Sequence, residues 1–180
     1  MLITEYRLDL VIQALRAILP LAHPADTTLR YFFKNERIGS NERELVAETV
    51  FGVLRHRLLL EHACAGNATP RRMALAHLLR FGGYNLRELT PLLKRDEEEW
   101  LGQVKGIKLD ELPLSIQAEL PEWVVEKLRG TMTEEEILAT GRAMQQAAAL
   151  DLRVNTLLAT RDEILQGLQG EKVEAQATPF

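Results

Sequence analysis

The sequence is poor in the residues that most directly announce a chemistry. It has one cysteine in 180 residues, Cys64. No disulfide can close within the chain, which fits a reducing cytoplasm. His56 and His62 stand six positions apart, off the i, i+4 spacing that brings two imidazoles to one ion. With no second cysteine to help, no metal centre is expected, and Cys64 reads as a small buried hydrophobe. No apolar run approaches the ~18 residues that would cross a membrane, and no basic-apolar-small leader opens the chain. No Gly-rich loop links a strand to a helix; Gly82 and Gly83 read as a helix stop, so no cofactor turn is expected. No serine, histidine and carboxylate fall into a nucleophile-elbow or triad pattern. Catalytic residues, cofactor ligands and metal ligands are therefore not expected in this segment.

What is present is ordinary globular composition, 46% hydrophobic and 27% charged, with an uneven charge. The net charge is −4, but residues 1–90 carry 12 Lys/Arg against 9 Asp/Glu and residues 91–180 carry 10 against 17. A first half at +3 can still meet a polyanion, although the whole chain is not an indiscriminate coat for one.

Helical periodicity dominates. Leu8, Val11, Ile12, Leu15, Ile18 and Leu19 predict an amphipathic helix over 4–19, stopped by Pro20. Asp26 is expected to cap a second helix reaching about Glu36, with Leu29, Phe32 and Phe33 on its apolar side. Ser40 opens a long helix whose Val46, Thr49, Val50, Val53 and Leu54 share a face. Arg57 would fall on that face if the helix stayed in phase. Either the helix bends near His56, which the change of apolar face at Leu58, Leu59 and Leu60 favours, or Arg57 lies in the core against a carboxylate. Thr69 and Pro70 start a further helix. Shorter helices are expected at 86–93, 96–104, 113–119 and from Pro121 to Leu128, and Thr133 with Glu136 makes a capping box. The acidic run 96–99 reads as a charged helix start. Trp100 and Trp123 are expected as core anchors, with base stacking the alternative.

The tail changes character. Leu152, Val154 and Thr156 alternate with Arg153 and Asn155, which predicts a strand. Thr160 with Glu163 caps a short helix that should end at Gly170, and a second strand is expected from Lys172. This β-α-β start has nothing to complete a sheet, so the chain reads as the front part of a longer one.

Two stretches resemble a known family. Residues 32–57, from Phe32 and Phe33 through Arg55, His56 and Arg57, resemble the NusB-like helical domain of bacterial RNA cytosine-C5 methyltransferases. Leu120, Pro121 and Trp123, followed later by Leu152, Arg153, Val154, Asn155 and Thr156, resemble the segment that leads into the catalytic part of the RsmB/Sun type of ribosomal-RNA methyltransferase. The resemblance implies a mainly α fold: a NusB-like bundle over 1–130, a connecting helix over 131–150, and an incomplete α/β unit over 151–180. It also implies a structured RNA partner, most simply ribosomal RNA, and a downstream Rossmann-like domain that binds S-adenosylmethionine and carries two catalytic cysteines. Cys64 lies in no motif resembling either, so this segment alone is expected to recognise RNA without transferase activity. The alternatives are a free-standing regulator of the NusB antitermination type and a helical protein-interaction module.

Candidate RNA contacts follow from charge and placement. Arg30, Lys34 and Arg37 fall at i, i+4, i+7, pointing roughly 110° from the apolar side of their helix; they suit phosphates or form a solvated face, and Glu36 weakens the stripe. Arg43, Arg55 and Arg57 flank the long helix. Arg71 and Arg72 oppose the dipole at a helix start, which favours a functional reason for them. Arg153 and Asn155 share one side of the predicted strand and can bond RNA; alternatively Arg153 pairs with Asp151 or Asp162.

Overall fold

In the computed structural model, residues 2–146 and 150–179 are described. The Thr4 hydroxyl accepts the Arg7 amide at 3.3 Å and opens α1 (Glu5–Ile18). Leu8, Val11, Leu15 and Ile18 are buried on one face of it. That face is the post on which α2 (Ala25–Asn35) and α3 (Ser40–Arg55) pack. The chain breaks at His56, whose backbone (φ −109°, ψ 32°) leaves helical geometry. It then resumes as α4 (Arg57–Ala63), so the bend expected near His56 is present. Next comes α5 (Pro70–Arg80), begun by Thr69 and proline as expected and buried against α1 and α3.

The start of α2 departs from expectation. Pro24 occupies the N-cap and Asp26 lies inside the first turn, because the proline ring already fixes the entry and no side-chain cap bond forms. The helix ends at Asn35, so Arg37 lies beyond it.

A short α6 (Leu86–Leu89), opened by an Asn85/Glu88 capping box, leads through a 3-10 turn to α7 (Glu97–Gly106). Trp100 anchors α7 as expected: it is buried and its indole N–H donates to the Ala63 carbonyl at 2.9 Å. Cys64, the residue that ends α4, is fully buried, and burial pushes its thiol up to about 11.

The helices α8 (Leu114–Ala118), α9 (Glu122–Leu128) and α10 (Glu134–Gln145) enclose a second, smaller cluster of Ala118, Leu120, Val125 and Ile137. Gly141 lets α10 come close to α8, since a Cβ there would meet the Ala118 carbonyl. Of the segment expected to connect two domains over 131–150, residues up to 146 belong to the first compact unit, and 147–149 lie outside the described residues. Trp123 is a correction: it is 64% exposed, because α9 is only about two turns long and directs Val125 inward, on another side. Among the described residues no helix is long and apolar enough to cross a membrane.

The second unit, residues 150–179, holds α11 (Arg161–Gly170). Its start is the expected capping box: Thr160 Oγ1 accepts the Glu163 amide, and the Glu163 carboxylate accepts the Thr160 amide at 2.7 Å. The β-α-β arrangement does not form. Among the described residues there is no strand, and the stretches on either side of α11 stay irregular. A strand needs a ladder partner, and residues of both stretches, among them Leu152, Val154, Val173 and Ala175, instead line a cleft of about 440 Å³ together with Ile164 and Leu168 of α11.

Candidate nucleic-acid interface

Arg30 and Lys34 are exposed on α2, about 40° apart round the helix. Arg37 follows in the link to α3 and is exposed too. The expected i, i+4, i+7 stripe is therefore a helical pair plus a neighbour in a turn. None of the three forms an ion pair among the described residues. Lys34 sits in the last turn, where the helix dipole favours a cation and supplies a structural reason for it as well.

Arg43 joins this corner from the start of α3. Its guanidinium lies 5.9 Å from the centroid of the Phe33 ring, which holds the first turn of α3 against α2. Of the two acids beside it, Glu44 is exposed and Glu42 is neutralised: its carboxylate takes two hydrogen bonds from Arg7, at 2.8 and 3.1 Å. Those bonds hold Glu42 below the usual carboxylate range. Arg30, Lys34, Arg37 and Arg43 thus form one cationic corner. Arg55, exposed at the far end of α3, is ~18 Å along the helix axis from Arg43 and stands apart from it.

Other expected contacts are engaged inside the fold. Arg57 pairs with Glu61 one turn on, at 2.7 Å, on a half-exposed surface. Arg71 donates to both oxygens of Glu97 at 2.8 Å and to the Leu92 carbonyl at 2.6 Å. Burial would raise the Glu97 carboxyl, but Arg71 and the Lys94 amide outweigh it and leave it below the usual range. Arg72 lies 4.7 Å from the Trp100 ring centroid and 3.9 Å from Asp96. The Arg pair at the start of α5 therefore has a structural explanation: it fastens α5 to α7.

In the second unit Arg153 is exposed and forms no ion pair with Asp151 or Asp162 among the described residues. Asn155 makes a turn: its side-chain oxygen accepts the Leu157 amide at 3.1 Å and its backbone carbonyl accepts from Leu158. Among the described residues no group of three or more His, Cys, Asp or Glu is placed to hold a metal ion.

Two features escaped the sequence reading. Tyr31 is 69% exposed beside the cationic corner, and its only sequence signal was an aromatic off the apolar face of α2. Glu119 has a left-handed backbone (φ +53°) and its carboxylate accepts the Leu58 and Leu59 amides at 2.8 and 3.1 Å. It caps α4 from some sixty positions away, which no local pattern signals.

Residues 120–180 match the family model described as the Methyltr_RsmF/B-like, ferredoxin-like domain, about a third of the chain. This is similarity to a domain of RsmF/RsmB-like methyltransferases, over the stretch where Leu120, Pro121, Trp123 and the 151–156 run carried the resemblance. No curated protein and no solved structure matches the chain.

Proposed function

We propose that this chain is the N-terminal RNA-recognition region of an S-adenosylmethionine-dependent ribosomal-RNA cytosine-C5 methyltransferase, with the methyl-transfer residues outside the segment. The match of residues 120–180 to a domain of RsmF/B-like methyltransferases carries the reading. The helices up to about residue 130 are then a NusB-like bundle, and α11 with the irregular stretches on either side of it belongs to the start of a ferredoxin-like domain. S-adenosylmethionine belongs to the catalytic domain of the parent enzyme.

RNA phosphates dock on the corner made by Arg30, Lys34, Arg37 and Arg43, while Arg55 and, in the second unit, Arg153 are separate candidate phosphate contacts. Cations without internal partners release counterions from RNA at no cost in ion pairs, whereas Arg57, Arg71 and Arg72 must first leave theirs. The test is fluorescence anisotropy of a labelled ribosomal-RNA fragment across a salt series. About four phosphate contacts weaken binding roughly 50- to 150-fold between 50 and 200 mM salt. Affinity that does not depend on salt would instead mean a helical protein-interaction module.

A further inference from the structure

The face of α2 next to the cationic corner opens into a cleft of about 540 Å³, within the ~300–1,000 Å³ range of small-molecule sites. Ala17 of α1 and Phe32 supply its apolar floor, and Tyr31 stands in it with its ring largely exposed. Thr27 and Asn35, one turn before and after Tyr31, lie at the rim with no hydrogen-bond partner for their side chains among the described residues. Round the helix, Lys34 is about 60° from Tyr31 and Arg30 about 100°, so the ring and the cations share one continuous surface. Glu36 lines the cleft on the side away from Lys34, which keeps an anion to the Lys34 side.

We infer that this cleft holds one unpaired nucleotide of RNA, its base stacked on Tyr31 and its phosphate on Lys34 and Arg30. The inference rests on the RNA-binding reading above and adds a site to it. A flat, exposed ring over an apolar floor suits a base, because every base has a π-face and stacking tolerates sequence. Hydroxyl and amide groups at the rim can meet base edges, which only splayed single-stranded nucleotides present. The adjacent cations give the charge complementarity that an apolar peptide segment would not use.

The experiment compares the full chain with Tyr31→Ala, Tyr31→Phe and the double variant Arg30→Ala/Lys34→Ala. Each is titrated with a labelled RNA hairpin carrying an unpaired loop, and with a blunt duplex of the same stem. Tyr31 is largely exposed, so its replacement leaves the core intact. Tyr31→Ala should weaken hairpin binding about 5- to 100-fold, leave duplex binding and the salt slope unchanged, and be rescued by Tyr31→Phe. The double variant should lower the salt slope by about 0.7–0.9 per lost phosphate contact. Wild-type hairpin affinity in Tyr31→Ala, with weakening in the double variant, would overturn the cleft while leaving the RNA reading standing. No salt-dependent binding by the unmodified chain would remove both. Unchanged RNA binding with a shift of Tyr31→Ala from dimer to monomer in sedimentation would mean that a second copy fills the cleft.

Discussion

At Arg71 a guanidinium is spent inside the fold, and Glu97, only 4% exposed, depends on it. Arg71→Ala would leave a buried carboxylate with only the Lys94 amide, so a loss of about 3 kcal/mol is expected in urea unfolding. Arg71→Lys should recover only part of it, since an ammonium cannot present two parallel N–H bonds to the carboxylate. The residue was legible as an anomaly, an arginine pair opposing a helix dipole. Its purpose was not, because the partner lies 26 positions away on another helix. Arg43 shows the same limit in milder form: its charge was visible, but its seat on Phe33 depends on how α3 meets α2. Tyr31 was passed over because exposure is a tertiary property, and periodicity alone does not report it.

Helix starts were readable where a side chain makes the cap, which is local chemistry, but not at α2, which enters through Pro24 with no side-chain cap. The capping boxes at Thr133 and Thr160 are present, and Thr69 caps α5 with proline in its first turn. The break at His56 was readable from the change of apolar face. Strands were not, since a strand exists only when another chain segment supplies the ladder, and the stretches flanking α11 have none among the described residues. Trp123 misled for a related reason: a large aromatic in a short helix is buried only if the helix turns that side inward. Packing between elements also sets the expected outcome of Gly141→Ala. The new methyl would meet the Ala118 carbonyl and push α10 off α8, costing about 1–3 kcal/mol. Hydrogen exchange should show α10 amides opening faster while those of α1 stay protected; equal protection in α10 would mean that the helices slide at little cost.

Over the whole molecule, a half-buried carboxyl, Glu119, and a buried imidazole, His77, titrate in opposite senses. Burial pushes Glu119 up to about 7, against the Leu59 and Leu58 amides that favour its charge, while Glu61 adds to the rise. A carboxyl raised in the folded state stabilises fully below its usual 4.5, and that stability is lost as pH rises through about 7. His77, lining Gly52, is held down to about 4 by burial and then by the charges of His56 and Arg55. Its contribution is complete above its usual 6.5 and is lost as pH falls through about 4. Between 4.5 and 6.5 the two slopes oppose, so the unmodified chain should show a shallow stability profile there. Glu119→Gln removes one of them, and its urea midpoint should fall more steeply as pH drops from 7 to 4.5. Parallel profiles for the two proteins would mean that Glu119 does not titrate in that window. The single thiol has a practical consequence of another kind. Cys64 is sealed in the core with its ionisation pushed up to about 11, so at neutral pH it is a poor nucleophile towards maleimides. A cysteine introduced at the exposed Thr27 would be the reactive one, and the molecule comes with a silent background for attaching a fluorophore at the mouth of the cleft.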